Sequence, residues 1–125
     1  MQEFRSAIER RDLDAVVALL AQDVVFRSPI VYAPYHGREQ VRALLSAVGR
    51  VFEDFSYSRQ IGGEGADHAH VFRARVGDRE VEGCDFVHTN DEGFIDELYV
   101  MVRPRSGAVA LAEAMKRELA LGDPV

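Results

Sequence analysis

The apolar positions near the start of the chain recur every three or four residues, which predicts helices. Phe4, Ala7 and Ile8 share one helical face, and a second helix is predicted after Asp12, whose carboxylate can cap the first-turn amides. A third helix is predicted from Gly37 to about Phe52. The apolar stripes of the second and third helices contain Leu13, Val16, Val17 and Leu20, and Val41, Leu44, Leu45 and Val48. The first two helices should form an αα-hairpin, and the third needs a covering surface.

From Phe55 the apolar period changes to two, which is typical of half-buried strands. The predicted strands are Val24–Ser28, which stops at Pro29, and then residues 55–61, 68–76, 80–89 and 94–103. Residues 30–36 are predicted to be irregular, and a last helix is predicted over about 107–121, with Leu111, Met115 and Leu119 four apart. Helices followed by an antiparallel meander indicate one α+β domain over residues 1–125, in which a strongly bent sheet wraps around the N-terminal helices.

The charges of one predicted hairpin determine its register. If Gly77 and Asp78 form a two-residue turn, Arg75 lies opposite Glu80, and Arg73 lies opposite Glu82 by the same count. For the last hairpin, a turn at residues 90–93 predicts that Val87 lies opposite Asp96, Asp85 opposite Leu98 and Gly83 opposite Val100. Both hairpins therefore direct the same side chains of the shared strand inward.

The inner face of the first hairpin places His70 opposite Asp85 in an otherwise apolar row. A buried acid without partners is costly when charged, or it stays neutral. We therefore predict that the two side chains face a cavity within hydrogen-bonding reach of each other. Asp85 and His70 are the candidate catalytic residues, and a purely structural pair is the alternative.

Composition narrows the classes of function. The formal net charge of −6, with 15 basic residues scattered among 21 acids, argues against a nucleic-acid partner. The single cysteine, Cys84, excludes an internal disulfide, and the longest aliphatic run, residues 15–21, is too short for a membrane span. The four histidines lack metal-ligand spacing, so we expect neither a metal nor a cofactor. Without an apolar signal region at the N-terminus, we expect a cytoplasmic protein.

Three stretches carry a family resemblance. They are Arg11-Asp12-Leu13-Asp14-Ala15-Val16 leading to Asp23-Val24-Val25-Phe26, then His36-Gly37-Arg38-Glu39-Gln40-Val41, and Asp85 before the turn at Gly93. Over residues 4 to about 103 the chain resembles the nuclear transport factor 2-like superfamily, cone-shaped α+β folds that include ketosteroid isomerases and SnoaL-like polyketide cyclases. The resemblance is specific for the fold, but one scaffold hosts many reactions.

The resemblance to ketosteroid isomerases is partial. Asp85 looks like their oxyanion-hole aspartic acid, which an apolar site keeps protonated so that it donates a hydrogen bond. Their catalytic base corresponds to Ser28, and their tyrosine donor on the first helix corresponds to Phe4. A serine cannot abstract a proton near neutral pH, so the standard steroid-isomerase mechanism is not expected. The resemblance to SnoaL-like cyclases implies a pocket aspartate acting with a histidine.

A cavity inside such a cone would bind a small apolar molecule. Tyr32 and Tyr35 lie on the irregular segment at the mouth, where each can present a hydroxyl to a ligand. The predicted ligand-binding residues are Phe26, Ser28, Tyr32, Tyr35, Leu45, Phe52, Phe72, Leu98 and Val100. The same apolar residues would equally form a packed core, and only a void separates the two interpretations.

The outer face of the predicted sheet is also apolar. Cys84, Phe86 and His88 alternate onto it together with Tyr99 and Met101. Such a face favours a homodimer. The sequence thus supports two hypotheses: a dimeric protein with an apolar pocket, which binds a ligand and carries out acid/base isomerisation or cyclisation, or a non-catalytic binding or accessory module of the same fold.

Overall fold

A computed structural model describes residues 1–121, and within this part of the chain it contains four helices and six strands. The helices are α1 (Gln2–Glu9), α2 (Leu13–Ala18), α3 (Arg38–Val51) and α4 (Arg105–Leu121). The strands are β1 (Leu20–Arg27), β2 (Tyr35–His36), β3 (Glu53–Ile61), β4 (Asp67–Val76), β5 (Arg79–Thr89) and β6 (Ile95–Arg103). The predicted α+β class, with a bent sheet around N-terminal helices and an additional C-terminal helix, is confirmed.

The six strands form one sheet in the order β2-β1-β6-β5-β4-β3. Strands β3 to β6 make the predicted antiparallel meander, and the β4–β5 register is as predicted, with His70 opposite Asp85 and Arg75 opposite Glu80. Strand β1 joins this meander by pairing in parallel with β6, a contact that the sequence did not predict. The early and late parts of the chain therefore meet inside the sheet, at its second and third strands.

Two elements near β1 differ from the predictions. Leu20 was assigned to the second helix but begins β1, because the chain pairs there with Ile95 of β6 instead of continuing the helix. The segment predicted to be irregular contains the short strand β2, in which Tyr35 pairs with Phe26 of β1. In both places, pairing between distant residues overrides the local pattern.

The predicted register of the last hairpin is wrong by two residues. The observed pairs are Val87 with Leu98, Asp85 with Val100 and Gly83 with Val102. Thr89 pairs with Ile95, so the loop runs over residues 90–94 and is one residue longer than predicted. The pairing shifts by one further residue between His88 and Thr89, where β6 holds an additional residue at a bulge. Because the shift is two residues, the side chains keep their predicted faces.

Gly83 sets how closely β4 and β5 pack against the core. A Cβ atom there would lie 2.4 Å from Cζ of Phe72 and 2.6 Å from the carbonyl oxygen of Met101. The missing side chain lets the Phe72 ring lie directly over β5, and this ring is 1% exposed. The wall of the sheet is thus shaped by an aromatic ring that only glycine accommodates.

Helix α4 packs against α3 and against β5 and β6, and its Leu111 is buried in the core. The predicted Leu111, Met115 and Leu119 stripe therefore covers the interior of this chain. Among the described residues, none of the helices combines the length and the apolar character needed to cross a membrane.

Candidate functional site

A cavity of about 860 Å³ lies between the helices and the concave face of the sheet. Of the nine residues predicted to bind ligand, eight lie on its wall: Phe26, Ser28, Tyr35, Leu45, Phe52, Phe72, Leu98 and Val100. The wall also contains Asp85 from β5, Phe4 from α1, and Leu111, Met115 and Leu119 from α4. Contact of these residues with a ligand stays a prediction, but the void that distinguishes a pocket from a packed core is present.

Asp85 is the buried acid of this wall, with 9% of its surface exposed. The hydroxyl of Tyr57, on β3, donates a hydrogen bond to Oδ2 of Asp85 over 2.8 Å, and this phenol is buried as well. Burial raises the pKa of Asp85 to about 7, although the hydrogen bond from Tyr57 opposes the rise. Near neutral pH the carboxyl is therefore divided between its acid and its carboxylate form.

Tyr57 determines how that carboxyl is presented. Burial, followed by the neighbouring charge of Asp85, raises the pKa of Tyr57 far above its ordinary value, so the phenol keeps its proton and acts as a donor. Oδ1 of Asp85 takes no hydrogen bond within residues 1–121, and it is accessible beside the cavity that the residue lines. When Asp85 is protonated, the proton belongs on Oδ1, because Oδ2 already accepts from Tyr57. The acid form can then donate to an oxygen in the cavity.

His70 does not have the predicted role beside Asp85. Its ring is 0% exposed and lies between the rings of Phe4 and Tyr57, with centroid distances of 5.8 Å and 5.6 Å. Neither ring nitrogen has a hydrogen-bond partner within the described chain, and His70 is not part of the cavity wall. The predicted hydrogen bond to Asp85 is therefore wrong, because Tyr57 takes the place beside the carboxyl. Burial lowers the pKa of His70 to about 4, which keeps the imidazole neutral.

The residues of the irregular segment separate into two groups. Tyr35 lies on the cavity wall, whereas Tyr32 is fully exposed and does not line the cavity, contrary to the prediction. The Oγ atom of Ser28 accepts hydrogen bonds from the amides of Ile30 and Val31, at 2.9 Å and 3.1 Å. Ser28 thus closes a turn at the edge of the cavity, and this turn leaves Tyr32 outside.

Sequence analysis overlooked Tyr57, although a signal for it was present. In the period-two pattern of β3, Phe55 and Tyr57 occupy alternate positions, so the pattern places their side chains on the same face of the sheet. A phenol on an inner face needs a hydrogen-bond partner, and Asp85 was the acid already placed there.

In the described part of the chain, no cluster of three or more histidine, cysteine or acidic side chains could hold a metal ion.

Comparisons with known proteins agree on the fold. The family model described as SnoaL-like domain matches residues 1–98. A solved structure of a steroid delta-isomerase from Pseudomonas aeruginosa is 45% identical and superposes with a TM-score of 0.91, covering 96% of this chain and 88% of its own.

Two further structures extend this likeness. A bacterial protein with a cystatin-like fold from Silicibacter pomeroyi is 35% identical, with a TM-score of 0.90 and coverage of 95% of this chain and 84% of its own. An NTF2-like protein of unknown function from Mesorhizobium loti is 22% identical with a TM-score of 0.72, covers 83% of this chain and 88% of its own, and shows the fold alone. No match is found among the curated proteins.

Proposed function

Because the chain belongs to the SnoaL-like domain family, we propose that it binds an apolar small molecule in the cavity and holds an oxygen of that molecule through Asp85. The volume of about 860 Å³ falls in the range of pockets that bind drug-sized ligands. The observation that carries the proposal is the hydrogen bond between Asp85 and Tyr57, which holds the one buried acid of the described cavity wall in a single orientation among apolar residues.

The ligand atom at this position is a hydrogen-bond acceptor such as a carbonyl oxygen. With Tyr57 donating to Oδ2, the acid form of Asp85 presents an O–H group at Oδ1, and a ligand carbonyl can accept it. The ionised form offers only acceptors, so it repels the same carbonyl. Since burial raises the pKa of Asp85 to about 7, binding should weaken as the pH rises above neutrality.

Three variants test this assignment with a keto steroid as the probe and calorimetric titration as the measurement. Asp85→Leu removes the donor and should weaken binding by roughly fivefold to tenfold, the effect of one neutral hydrogen bond. Asp85→Asn keeps Tyr57 donating to the amide oxygen and presents an N–H at every pH, so its affinity should not depend on pH. Asp91→Asn, in the exposed turn between β5 and β6, is the control and should match the wild type.

Two results would contradict the proposal. If Asp85→Leu bound the keto steroid with wild-type affinity, Asp85 would not contact the ligand. If the wild type bound none of a series of keto steroids of different sizes, the proposal that the cavity binds such a ligand would be wrong.

Isomerisation of an unsaturated steroid ketone is a second candidate function. It is supported by the name of the Pseudomonas aeruginosa relative, and by an acid whose pKa lies near the working pH, as general acid/base catalysis requires. Against the standard mechanism, the position of the ketosteroid-isomerase base is Ser28, whose oxygen already accepts two amides.

An absorbance assay distinguishes binding from isomerisation. Incubation with a β,γ-unsaturated steroid ketone should produce the absorbance of the conjugated enone if the protein is an isomerase that uses Asp85 as its proton carrier instead of as the donor to the ligand oxygen. Asp85→Asn should then abolish turnover, because an amide cannot carry a proton between two carbons. Binding of the steroid without any rise in absorbance would favour the non-catalytic module.

A further inference from the structure

Three phenylalanines lie together on the part of the cavity wall that is formed by β4 and by the start of β3. Phe72 belongs to β4, Phe55 belongs to β3, and Phe52 directly precedes β3; all three line the cavity. The rings of Phe55 and Phe72 are stacked, with their centroids 5.0 Å apart and an angle of 25° between their planes. The ring of Phe52 lies 5.5 Å from that of Phe72. We call these three residues the aromatic shelf.

The aromatic shelf lies beside Asp85. The ring of Phe72 covers Gly83 of β5, and Asp85 is two residues further along the same face of this strand, a separation of about 7 Å. Phe55 also meets the ring of Tyr57 edge to face at a centroid distance of 5.0 Å, and Tyr57 donates its hydrogen bond to Asp85. A ligand oxygen that is bound by Asp85 therefore places the ring that carries it against the aromatic shelf.

The shelf presents a fixed surface to the cavity. Phe72 forms its base because only 1% of this residue is exposed, whereas Phe52 and Phe55 are half-buried and line the cavity. Rings that pack against one another in this way cannot change shape around a ligand without losing contacts. The ligand must therefore match the shelf, and the shelf is made of flat rings.

A bulge in β3 brings Phe52 and Phe55 to the same side of the sheet. Residues three apart in a regular extended chain point to opposite faces. Between Glu53 and Ser56, however, β3 holds one residue more than β4. Within this bulge Asp54 has a φ of 54°, a left-handed conformation that is unfavourable for a residue other than glycine. The change of direction at Asp54 turns Phe55 toward the cavity.

Arg75 of β4 stabilises the bulge. Its Nη2 and Nε atoms donate to Oδ2 of Asp54 at 3.0 Å and 3.3 Å, and its Nη1 atom donates to Glu53 at 3.3 Å. Arg75 thus holds both of the residues that connect Phe52 to Phe55. Backbone strain of this kind is concentrated at ligand sites, and here it shapes the cavity wall next to the buried acid.

From these contacts we infer that the site selects a ligand whose oxygen-bearing ring is flat, as in a conjugated cyclic ketone. The inference rests on the proposed function, because Asp85 must bind the oxygen for the ring to lie on the shelf. Flat rings that stack or meet edge to face gain more than the burial of their area provides. A puckered saturated ring projects axial hydrogens, which hold its carbon atoms away from the shelf and weaken the dispersion contacts.

Two steroid diketones that differ only in ring A test the inference. Ring A is flat in androstadienedione and a puckered chair in androstanedione. We expect calorimetric titration of the wild type to show about two- to tenfold tighter binding of androstadienedione, the strength of one aromatic contact. Phe55→Leu should remove this preference. Phe94→Leu changes a phenylalanine that is 40% exposed and lies outside the cavity wall, so this control should keep it.

The variants also separate the shelf from the chemistry of the carbonyl, which conjugation makes a better hydrogen-bond acceptor. Phe55→Leu leaves Asp85 and Tyr57 in place, so a lost preference in this variant reports on the shelf. Phe52→Leu should lower the preference in the same direction, and it provides the measurement if Phe55→Leu does not fold.

A pair of substitutions at Asp54 tests the bulge as a positioning device. Asp54→Gly keeps the left-handed conformation accessible and should keep the preference for androstadienedione. Asp54→Val disfavours that conformation because its side chain is β-branched, so it should lower the preference. The same preference in both variants would show that the conformation of Asp54 does not position the shelf.

The outcomes separate this inference from the proposed function. Equal binding of the two diketones by the wild type, or an unchanged preference in both Phe55→Leu and Phe52→Leu, would overturn the inference and leave the apolar pocket. A preference that is lost to the same extent in Phe94→Leu would also overturn it, because the effect would not be specific to the shelf. Failure of both diketones to bind the wild type would refute the proposed function together with the inference.

Discussion

Ionisation of Asp85 should make the folded protein less stable as the pH rises through neutrality. The pKa of this carboxyl rises from its ordinary value of 3.8 to about 7 on burial. A group whose pKa is higher in the folded state binds its proton more tightly when folded, so its contribution is fully present below pH 3.8 and is lost as the pH approaches 7. At about 1.4 kcal/mol per pKa unit, the complete loss is roughly 4 kcal/mol, a large part of the stability of a small domain.

Asp85→Asn isolates this contribution. The asparagine cannot ionise, yet its oxygen can still accept the hydrogen bond from Tyr57. Relative to the wild type, the variant should therefore gain about 3 kcal/mol between roughly pH 5 and pH 8, the part of the titration within that window. His70 titrates in the opposite sense: its pKa falls from 6.5 to about 4, so its contribution is lost as the pH falls through that range. Both proteins contain His70, and its effect cancels in the difference.

Urea unfolding followed by circular dichroism at a series of pH values gives the two stability curves. Asp91→Asn, which removes an exposed aspartate, should run parallel to the wild type. Parallel curves for Asp85→Asn and the wild type across neutrality would refute the reasoning, because they would mean that Asp85 ionises in the folded protein as it does in water. A bound keto steroid should shift the wild-type titration to higher pH, since it stabilises the protonated acid.

Three further predictions concern packing and assembly. His70→Leu removes a buried ring with two unpaired nitrogens, so the free energy of unfolding at neutral pH should stay within about 1 kcal/mol of the wild-type value or increase. A decrease of more than roughly 3 kcal/mol would contradict the absence of hydrogen bonds to this ring. Gly83→Ala should lower the stability by about 1–3 kcal/mol because the new methyl group overlaps Phe72, and an unchanged melting temperature would count against that contact. We propose that the outer sheet face, where Tyr99 and Met101 are exposed, joins two copies of the chain; Tyr99→Lys should then yield monomers in sedimentation, and a wild-type monomer at micromolar concentration would exclude this interface.

The most predictable part of the structure was the β4–β5 hairpin, because its two-residue turn and its charge pairs all required the same register. The last hairpin was less predictable, since its loop is one residue longer than expected and a bulge near Thr89 adds a second residue to β6. Period-two alternation does not change with a shift of two. The faces of the side chains were therefore right where the exact partners were wrong.

The residues that line the candidate site could be predicted from the sequence, but the hydrogen-bond partner of Asp85 could not. Apolar residues at the right periods placed eight of the nine expected residues on the cavity wall. The partner of Asp85 depended on how far side chains reach across three strands: Tyr57 on β3 spans β4 to reach the carboxyl on β5, whereas His70, directly opposite, does not pair with it. The register of a sheet predicts which Cα atoms are neighbours, but the length and packing of the side chains decide which of them form hydrogen bonds.

The parallel contact between β1 and β6 has a consequence for how the protein folds. Strands β3 to β6 pair with neighbours close in sequence, whereas Leu20 must find Ile95 across nearly the whole meander. Since closing a long loop costs entropy before its contacts form, we expect the meander to form first and the cavity to be enclosed last, when β1 docks with the helices. Pulse-labelled hydrogen exchange during refolding should protect the amides of β4 and β5 before those of β1, and simultaneous protection would contradict this order. The cavity would then form last. A ligand present during refolding could accelerate closure of the cavity only after the sheet has formed.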